Sequence, residues 1–293
     1  MISKENCVGC AACENVCSVG ALAMKVDEEG FSYPFLDESK CVHCNKCVKV
    51  CPVLNHPYDN NKLKAEFYGM KSRDVNTQIN SASGGVFPEL AKLFLSDSNG
   101  FVWGATFDEN FYVVHKCIDS KQHLDNLCRS KYVQSNLTGV YKEVKKQLQN
   151  GKRVLFTGTP CQTTALKNFI GKNDDNLYLV DIICHGVPSP EVWQEYLTEL
   201  SEEYSEKKED ICSVCFKYKD GARKWTHPGF LVKWEDGKEY IDFSNNTWYE
   251  NGFLNNLYVR PSCHICKFKS LSSISDLTIG DFWGMQRTGT RFI

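Results

Sequence analysis

The spacing of apolar and polar residues changes character along the chain, and each change marks an element. Leu22 to Phe35 alternates around Glu29-Gly30, which predicts a short hairpin of Ala21–Val26 and Phe31–Leu36. Asn55 to Lys62 is polar and turn-rich and reads as a linker. A strand is expected over Ala65–Lys71. Ser81-Ala82-Ser83-Gly84-Gly85 forms a turn that opens a helix over Val86–Ser96, with Val86, Leu90, Leu93 and Phe94 at helical spacing. Pro88 falls in its first turns, where a missing N–H does least harm. Phe101–Phe107 and Phe111–Ile118 read as a hairpin around Asp108-Glu109-Asn110. Thr138 is placed to cap a helix that carries Val140, Tyr141, Val144 and Leu148 and ends at Asn150-Gly151.

The clearest architecture follows. Lys152–Thr157 holds the apolar run Val154-Leu155-Phe156. Gly158-Thr159-Pro160-Cys161 is a tight loop, and Gln162–Ile170 a helix. Leu177–Ile183 repeats the buried strand, Cys184 to Pro190 the loop, and Glu191–Tyr204 the helix. Strand, loop, helix, taken twice, predicts a parallel pair with both loops at one sheet edge, where ligands of such sheets sit. Farther on, Phe230–Trp234 and Lys238–Phe243 flank Asp236-Gly237, a hairpin turn. Asn246–Leu257 reads as helix and Asp276–Phe282 as a strand.

Charge adds little to this picture. The formal net charge of -2 gives no bulk argument for nucleic acid or an anionic membrane. No apolar run reaches the roughly 18 residues that span a bilayer, and the stretch before Cys7 has no secretory pattern. A reducing, cytoplasmic setting is therefore expected. Cysteine changes the picture: there are 16, and in a reducing compartment these imply metal or catalysis before disulfides.

Eight of them form two near-copies. Cys7, Cys10, Cys13 and Cys17 stand at C-x2-C-x2-C-x3-C spacing, as do Cys41, Cys44, Cys47 and Cys51. This is the pattern of bacterial two-cluster ferredoxins, in which the fourth cysteine of each run serves the other cluster. Cys7, Cys10, Cys13 and Cys51 are thus assigned to one [4Fe–4S] cluster, and Cys41, Cys44, Cys47 and Cys17 to a second. A zinc site would need only four ligands. The small residues Gly9, Ala11 and Ala12 let backbone N–H groups approach the sulfurs. Cys17 is followed by Ser18 where Pro is usual, and His43 and His56 read as loop residues.

The other eight cysteines divide. Cys117 and Cys128 read as core filling. Cys212 and Cys215 form a C-x2-C inside an expected strand, Ile211–Lys219, where positions three apart face opposite ways; shared ligation and thiol–disulfide chemistry are disfavoured there. Cys263 and Cys266 lie in a loop where a C-x2-C can curl around one metal. Cys161 and Cys184, on neighbouring strand ends, can supply the other half of a third [4Fe–4S] site.

The chain resembles the family of coenzyme F420 hydrogenase/dehydrogenase beta subunits. The resemblance rests on Ser83-Gly84-Gly85-Val86, Ser130-Lys131-Tyr132-Val133-Gln134-Ser135, Gly158-Thr159-Pro160-Cys161-Gln162 and Cys184-His185-Gly186-Val187-Pro188-Ser189-Pro190, in that order. Arg260-Pro261-Ser262-Cys263 with Cys266, and Ser275 to Gly284, complete it. It implies an FAD-containing subunit that moves electrons between a two-electron donor or acceptor and iron–sulfur clusters. By the resemblance Ser83, Gly84, Gly85, Lys131, Thr159 and Gln162 contact the flavin, His185 and Asp281 are polar neighbours, and no protein acid or base is assigned. Coenzyme F420 is one substrate the family implies. A redox partner protein or a small-molecule donor or acceptor is expected, without nucleic acid. Family members usually continue well beyond Gly-Asp-Phe-Trp-Gly, whereas Met285 to Ile293 looks unlike that continuation, so an incomplete domain is expected.

The expected fold is an α+β ferredoxin-like dicluster domain, residues 1–57, followed by an α/β flavin-binding domain with a mixed, partly parallel sheet. The latter divides into residues 64–145 and 151–293. A rival reading from the residues alone is a flavin-free electron-transfer adaptor that docks on a larger oxidoreductase.

Overall fold

The structure, a computed structural model, describes residues 2–56, 66–222, 227–244, 247–269 and 274–282. Each N-terminal cysteine run curls through a loop and ends in a one-turn helix, α1 (Ala12–Val16) and α2 (Lys46–Val50), which lie side by side. Between them β1 (Leu22–Val26) pairs antiparallel with β2 (Ser32–Leu36), Leu22 opposite Leu36. This is the hairpin the alternation predicts, and its Glu29-Gly30 turn rests on the larger domain: the Ser189 hydroxyl and the Glu191 N–H both donate to Glu29 O.

The larger domain runs α3 (Val75–Ile79), α4 (Val86–Phe94), β3 (Gly100–Phe107), β4 (Val113–Ile118), α5 (Leu124–Leu127), α6 (Val140–Gln149), β5 (Arg153–Gly158), α7 (Pro160–Ile170), β6 (Leu177–Ile182) and α8 (Pro190–Glu203). Then come β7 (Ile211–Tyr218), β8 (Gly229–Trp234), β9 (Glu239–Asp242), α9 (Trp248–Leu254), α10 (Pro261–His264) and β10 (Leu277–Ile279). The main sheet has the order β10-β6-β5-β3-β4 and is parallel except for β4. β5 lies at its centre and is covered on both faces, which is why Val154-Leu155-Phe156 needs no polar alternation.

The two faces carry different cargo. Val154 and Phe156 pack with Tyr141, Val144 and Leu148 of α6 and Ala165, Leu166 and Phe169 of α7; Cys10, Ala11, Ala12 and Val50 of the cluster domain join the same core. Leu155 points the other way, against Ala91 and Phe94 of α4 and Leu124 and Leu127 of α5. A separate antiparallel sheet, β7-β8-β9, packs against α8 through Trp193, Tyr196, Phe216, Phe230 and Trp234.

Several expectations shift. No strand or helix forms over 66–71, and Ala65 lies outside the described residues, as do the linker positions 57–62, the block residues Trp283 and Gly284, and the tail 285–293. On α4 the buried stripe is Pro88, Ala91 and Phe94, while Leu93 is exposed, because it is the former three that face β3 and β5. α6 is capped by Gly139 at φ +77, not by Thr138. α9 covers only Trp248–Leu254 and starts at Thr247, whose side chain accepts the Glu250 N–H.

Candidate functional site

The first cysteine run is folded into the body of the protein. Cys7 and Cys10 are buried, and Cys13 and Cys51 half-buried. Burial pushes the Cys10 thiol well up; the Ala12 N–H opposes this, and the charges of Cys13, Cys7 and Cys161 add to it. Cys13 is pushed up to about 12 by burial and then by Cys7, with a further contribution from Cys51. Cys51 rises by burial too, against the N–H groups of Leu54 and Val53, and feels Cys7 and Cys47. Cys7, Cys10, Cys13 and Cys51 thus share one neighbourhood, with amide hydrogens aimed at sulfur. Coordination to iron removes the protons that burial holds on such thiols.

The second run is laid on the surface. Cys44 is exposed and Cys41 and Cys47 half-buried, and their neighbours Val42, His43, Asn45, Lys46, Val48 and Lys49 are all exposed. The His43 N–H donates to Cys41 Sγ at 3.4 Å. Cys17, the outlying member of the assigned set, is lowered: the N–H groups of Leu22, Ala21, Val19 and Gly20 together outweigh its burial. His56 packs on Phe268, with ring centroids 4.9 Å apart.

Three separate segments bring the third set together. Cys161 sits in the first turn of α7, Cys184 two residues past β6, and Cys263 and Cys266 in and just after α10. All four line one pocket with Thr159, Gln162 and Val8. Burial drives the Cys161 thiol far up, with further pushes from Cys184, Cys263 and Cys266, and brings Cys184 to about 12. Four soft donors converging in one pocket fit a cubane, and Val8, next to Cys7, lines the same pocket, so this set adjoins the first.

The expected flavin contacts fall into two groups. Thr159 N–H donates to Gln162 Oε1 at 2.9 Å, Gln162 Nε2 donates to Ser135 Oγ at 2.9 Å, and Thr159 Oγ1 lies 3.1 Å from Cys161 Sγ. These two residues cap α7 and wall the third cysteine set. Ser83, Gly84 and Gly85 stand elsewhere, at the start of α4; Ser83 O accepts from Lys219 Nζ at 2.7 Å. Lys131 donates to Asn126 O at 3.0 Å and to Cys128 O, and burial lowers it to about 8. Burial also lowers Lys219 to about 8; Asp281 opposes this, while Lys217 and Arg129 reinforce it. Lys217 forms an ion pair with Asp281. Lys217 and Lys219 therefore flank Asp281, and Arg129 lies near both Lys219 and Lys131. His115 links the groups: it feels Lys131, and its Nε2–H donates to Thr157 O at 3.0 Å near the carboxyl end of β5. His185 is exposed beside Phe253.

Next to the cations opens a cleft of about 740 Å³, and Cys117, Cys128, Cys212 and Cys215 all lie on its walls. Cys212 is exposed and Cys215 buried, so this C-x2-C does face two ways. Burial holds Cys117 and Cys128 at about 11. Arg129 donates to the Cys215 sulfur and to Asn80 O. Sequence reasoning did not single out Arg129 and met Arg260 only as part of the Arg260-Pro261-Ser262-Cys263 block, since nothing local marks that arginine as one to be buried.

Residues 151–293 match the model of the C terminus of the beta subunit of coenzyme F420 hydrogenase/dehydrogenase, and residues 6–55 that of the 4Fe-4S dicluster domain. The F subunit of the F(420)H(2) dehydrogenase of Methanosarcina mazei is 25% identical over 199 residues, which cover 63% of this chain and 54% of that protein. An uncharacterized ferredoxin of Methanocaldococcus jannaschii is 36% identical over 52 residues, covering 18% of this chain and 66% of the ferredoxin. The chain thus spans about half the length of the first of these relatives and just under two thirds of the second. A chain of the F420-reducing [NiFe] hydrogenase complex from Methanosarcina barkeri superposes with a TM-score of 0.47 at 16% identity, covering 73% of this chain and 72% of that one. No helix among the described residues is long and apolar enough to cross a membrane. By these matches residues 151–293 belong to the C-terminal part of the coenzyme F420 hydrogenase/dehydrogenase beta subunit family, and residues 6–55 are a 4Fe-4S dicluster domain.

Proposed function

We propose that this chain is an iron–sulfur flavoprotein subunit of an oxidoreductase, built as a cluster domain over residues 1–57 and a flavin domain over 64–145 and 151–293. In this reading Cys7, Cys10, Cys13 and Cys51 hold one [4Fe–4S] cluster, Cys41, Cys44, Cys47 and Cys17 a second, and Cys161, Cys184, Cys263 and Cys266 a third. The convergence of that last set from three segments, beside the first, is the observation that carries the proposal.

When bound, FAD supplies hydride chemistry and the clusters supply one-electron carriers. The residues supply the setting. Arg129, Lys131 and Lys219 offer positive charge for a diphosphate or an electron-rich ring. The turn at Ser83, Gly84 and Gly85 presents backbone N–H groups at the start of α4. Thr159 and Gln162 brace the turn that holds Cys161 against movement. The two-electron partner is a small-molecule donor or acceptor or another redox protein, and coenzyme F420, named for the Methanosarcina mazei relative, is the first to try.

Anaerobic purification with iron and flavin quantitation tests this. Three cubanes give about twelve irons per chain, and about eight would remove the third cluster. FAD near one per chain is expected; none after reconstitution would replace the flavoprotein with a flavin-free adaptor.

A further inference from the structure

Arg260 is completely buried, a rare setting for a charged side chain. Its guanidinium fastens three distant parts of the chain. Nε donates to Cys7 O at 2.6 Å, Nη1 to Gln134 Oε1 at 2.8 Å, and Nη2 to Ser32 O at 2.9 Å. The plane lies over Tyr33, 4.2 Å from the ring centroid, and 5.3 Å from that of Phe31. Every acceptor is neutral, and none of the ion pairs among the described residues includes Arg260. Asp27, the acid that shares its Tyr33 neighbour, is taken by Lys4 at 2.7 Å.

The result is a positive charge held out of water, with no carboxylate paired to it among the described residues. It is also placed between two of the candidate clusters. At one end it holds the peptide of Cys7. At the other, its own carbonyl accepts the Cys263 N–H at 2.8 Å. A strut alone does not require a charge; neutral donors can bridge three carbonyl-type acceptors. A cluster that gains an electron becomes more negative, and a desolvated cation beside it favours that state, since low solvent access leaves the attraction weakly screened.

We infer that Arg260 is a positioning residue that raises the reduction potentials of the clusters at Cys7 and at Cys263 above that of the cluster at Cys41. The inference rests on the cluster assignments proposed above. Electrons arriving from the flavin side thus meet two favourable acceptors in the interior before the surface cluster.

The test is an EPR-monitored redox titration of the reconstituted full chain, with iron counted in parallel. Arg260→Gln is expected to lower two of the three midpoints by at least tenfold in the reduction equilibrium, about 59 mV for one electron, and to leave the third in place. Arg260→Lys keeps the charge and is expected to restore most of the shift. Should Arg260→Gln fail to load iron, Gln134→Glu leaves the arginine and sets a carboxylate against Nη1; the same two midpoints are then expected to fall. Unchanged midpoints at full iron content, an equal fall of all three, or Arg260→Lys falling as far as Arg260→Gln would each overturn the inference. The iron count reports separately on the three-cluster reading: about eight irons removes the third cluster, while the midpoint of the Cys7 cluster still tests Arg260.

Discussion

Two runs of the same spacing have opposite surroundings. Cys7 to Cys17 is built from small residues and sunk against α6 and α7, where Cys10, Ala11 and Ala12 are part of the main core. Cys41 to Cys51 replaces them with His43, Asn45 and Lys46, and its loop faces solvent. The backbones nonetheless agree: Ala11 and Asn45 have φ of 57° and 58°, and both precede a one-turn helix. Ligand geometry thus sets the backbone, and the packing partner sets the side chains. An interior run next to Cys161 and an exterior run with Lys46 and Lys49 at the surface suit the electron transfer proposed above, from inside to outside.

The largest effect should come from breaking the runs one at a time. Cys10→Ser removes a buried member of the core and a candidate ligand together. It is expected to cost on the order of 4 kcal/mol of stability, with loss of iron beyond one cluster. Cys44→Ser, at an exposed position, should lose about four irons and leave the melting temperature of the α/β domain close to that of the parent. Iron analysis and calorimetry on both variants check this. Equal destabilisation by the two would remove the distinction.

Acid should separate the runs next. His115 is buried on Phe156, with its Nε2–H donated to Thr157 O and its Nδ1 without a partner. Burial first, and then Lys131, lower it to about 4, the Thr157 bond opposing. Since this folded value lies below the unfolded one, the unfolded chain binds more protons between about pH 4 and 6.5. Stability from this group is therefore present above that window and lost as the pH falls through it, by up to about 3 kcal/mol. The first run, which shares the β5 core, should lose its cluster absorbance together with the α/β fold as acid is added. His115→Gln is expected to flatten the pH dependence of unfolding. A slope unchanged by that substitution would show that the acid sensitivity lies elsewhere.

How much of this was legible in the sequence depended on range. Val154-Leu155-Phe156 and the Tyr141, Val144 and Leu148 stripe declare their elements locally, and the two repeated cysteine spacings declare a dicluster domain. The phase of α4 was harder, because Leu93 and Ala91 are both acceptable at helical spacing and only the position of β3 and β5 chooses between them. The third cysteine set was half visible: Cys263 and Cys266 are a local pair, but their meeting with Cys161 and Cys184 depends on strand order. Arg260 was invisible as a buried charge, since its acceptors lie 253, 126 and 228 residues away. That Cys117, Cys128, Cys212 and Cys215 share one cleft likewise depends on β4 and β7 being brought face to face.

The smallest effect should sharpen the comparison most. Gly9 and His43 occupy equivalent places in the two runs, with φ of +67° and +50°. Both are in the left-handed region, where glycine is favoured but other residues are tolerated at modest cost. Backbone conformation alone thus predicts that Gly9→Ala and His43→Gly change little, in opposite directions. Packing predicts otherwise. A Cβ on Gly9 would stand 2.5 Å from Gln134 Nε2 and 2.6 Å from Arg260 Nη1, so the clamp on Cys7 must open to admit it. Gly9→Ala is expected to cost about 2 kcal/mol, from strain and crowding together. His43 is exposed, and His43→Gly should leave both iron content and melting temperature within error of the parent. If Gly9→Ala is as mild as His43→Gly, the glycine serves the turn and not the arginine, and the two runs differ only in what surrounds them.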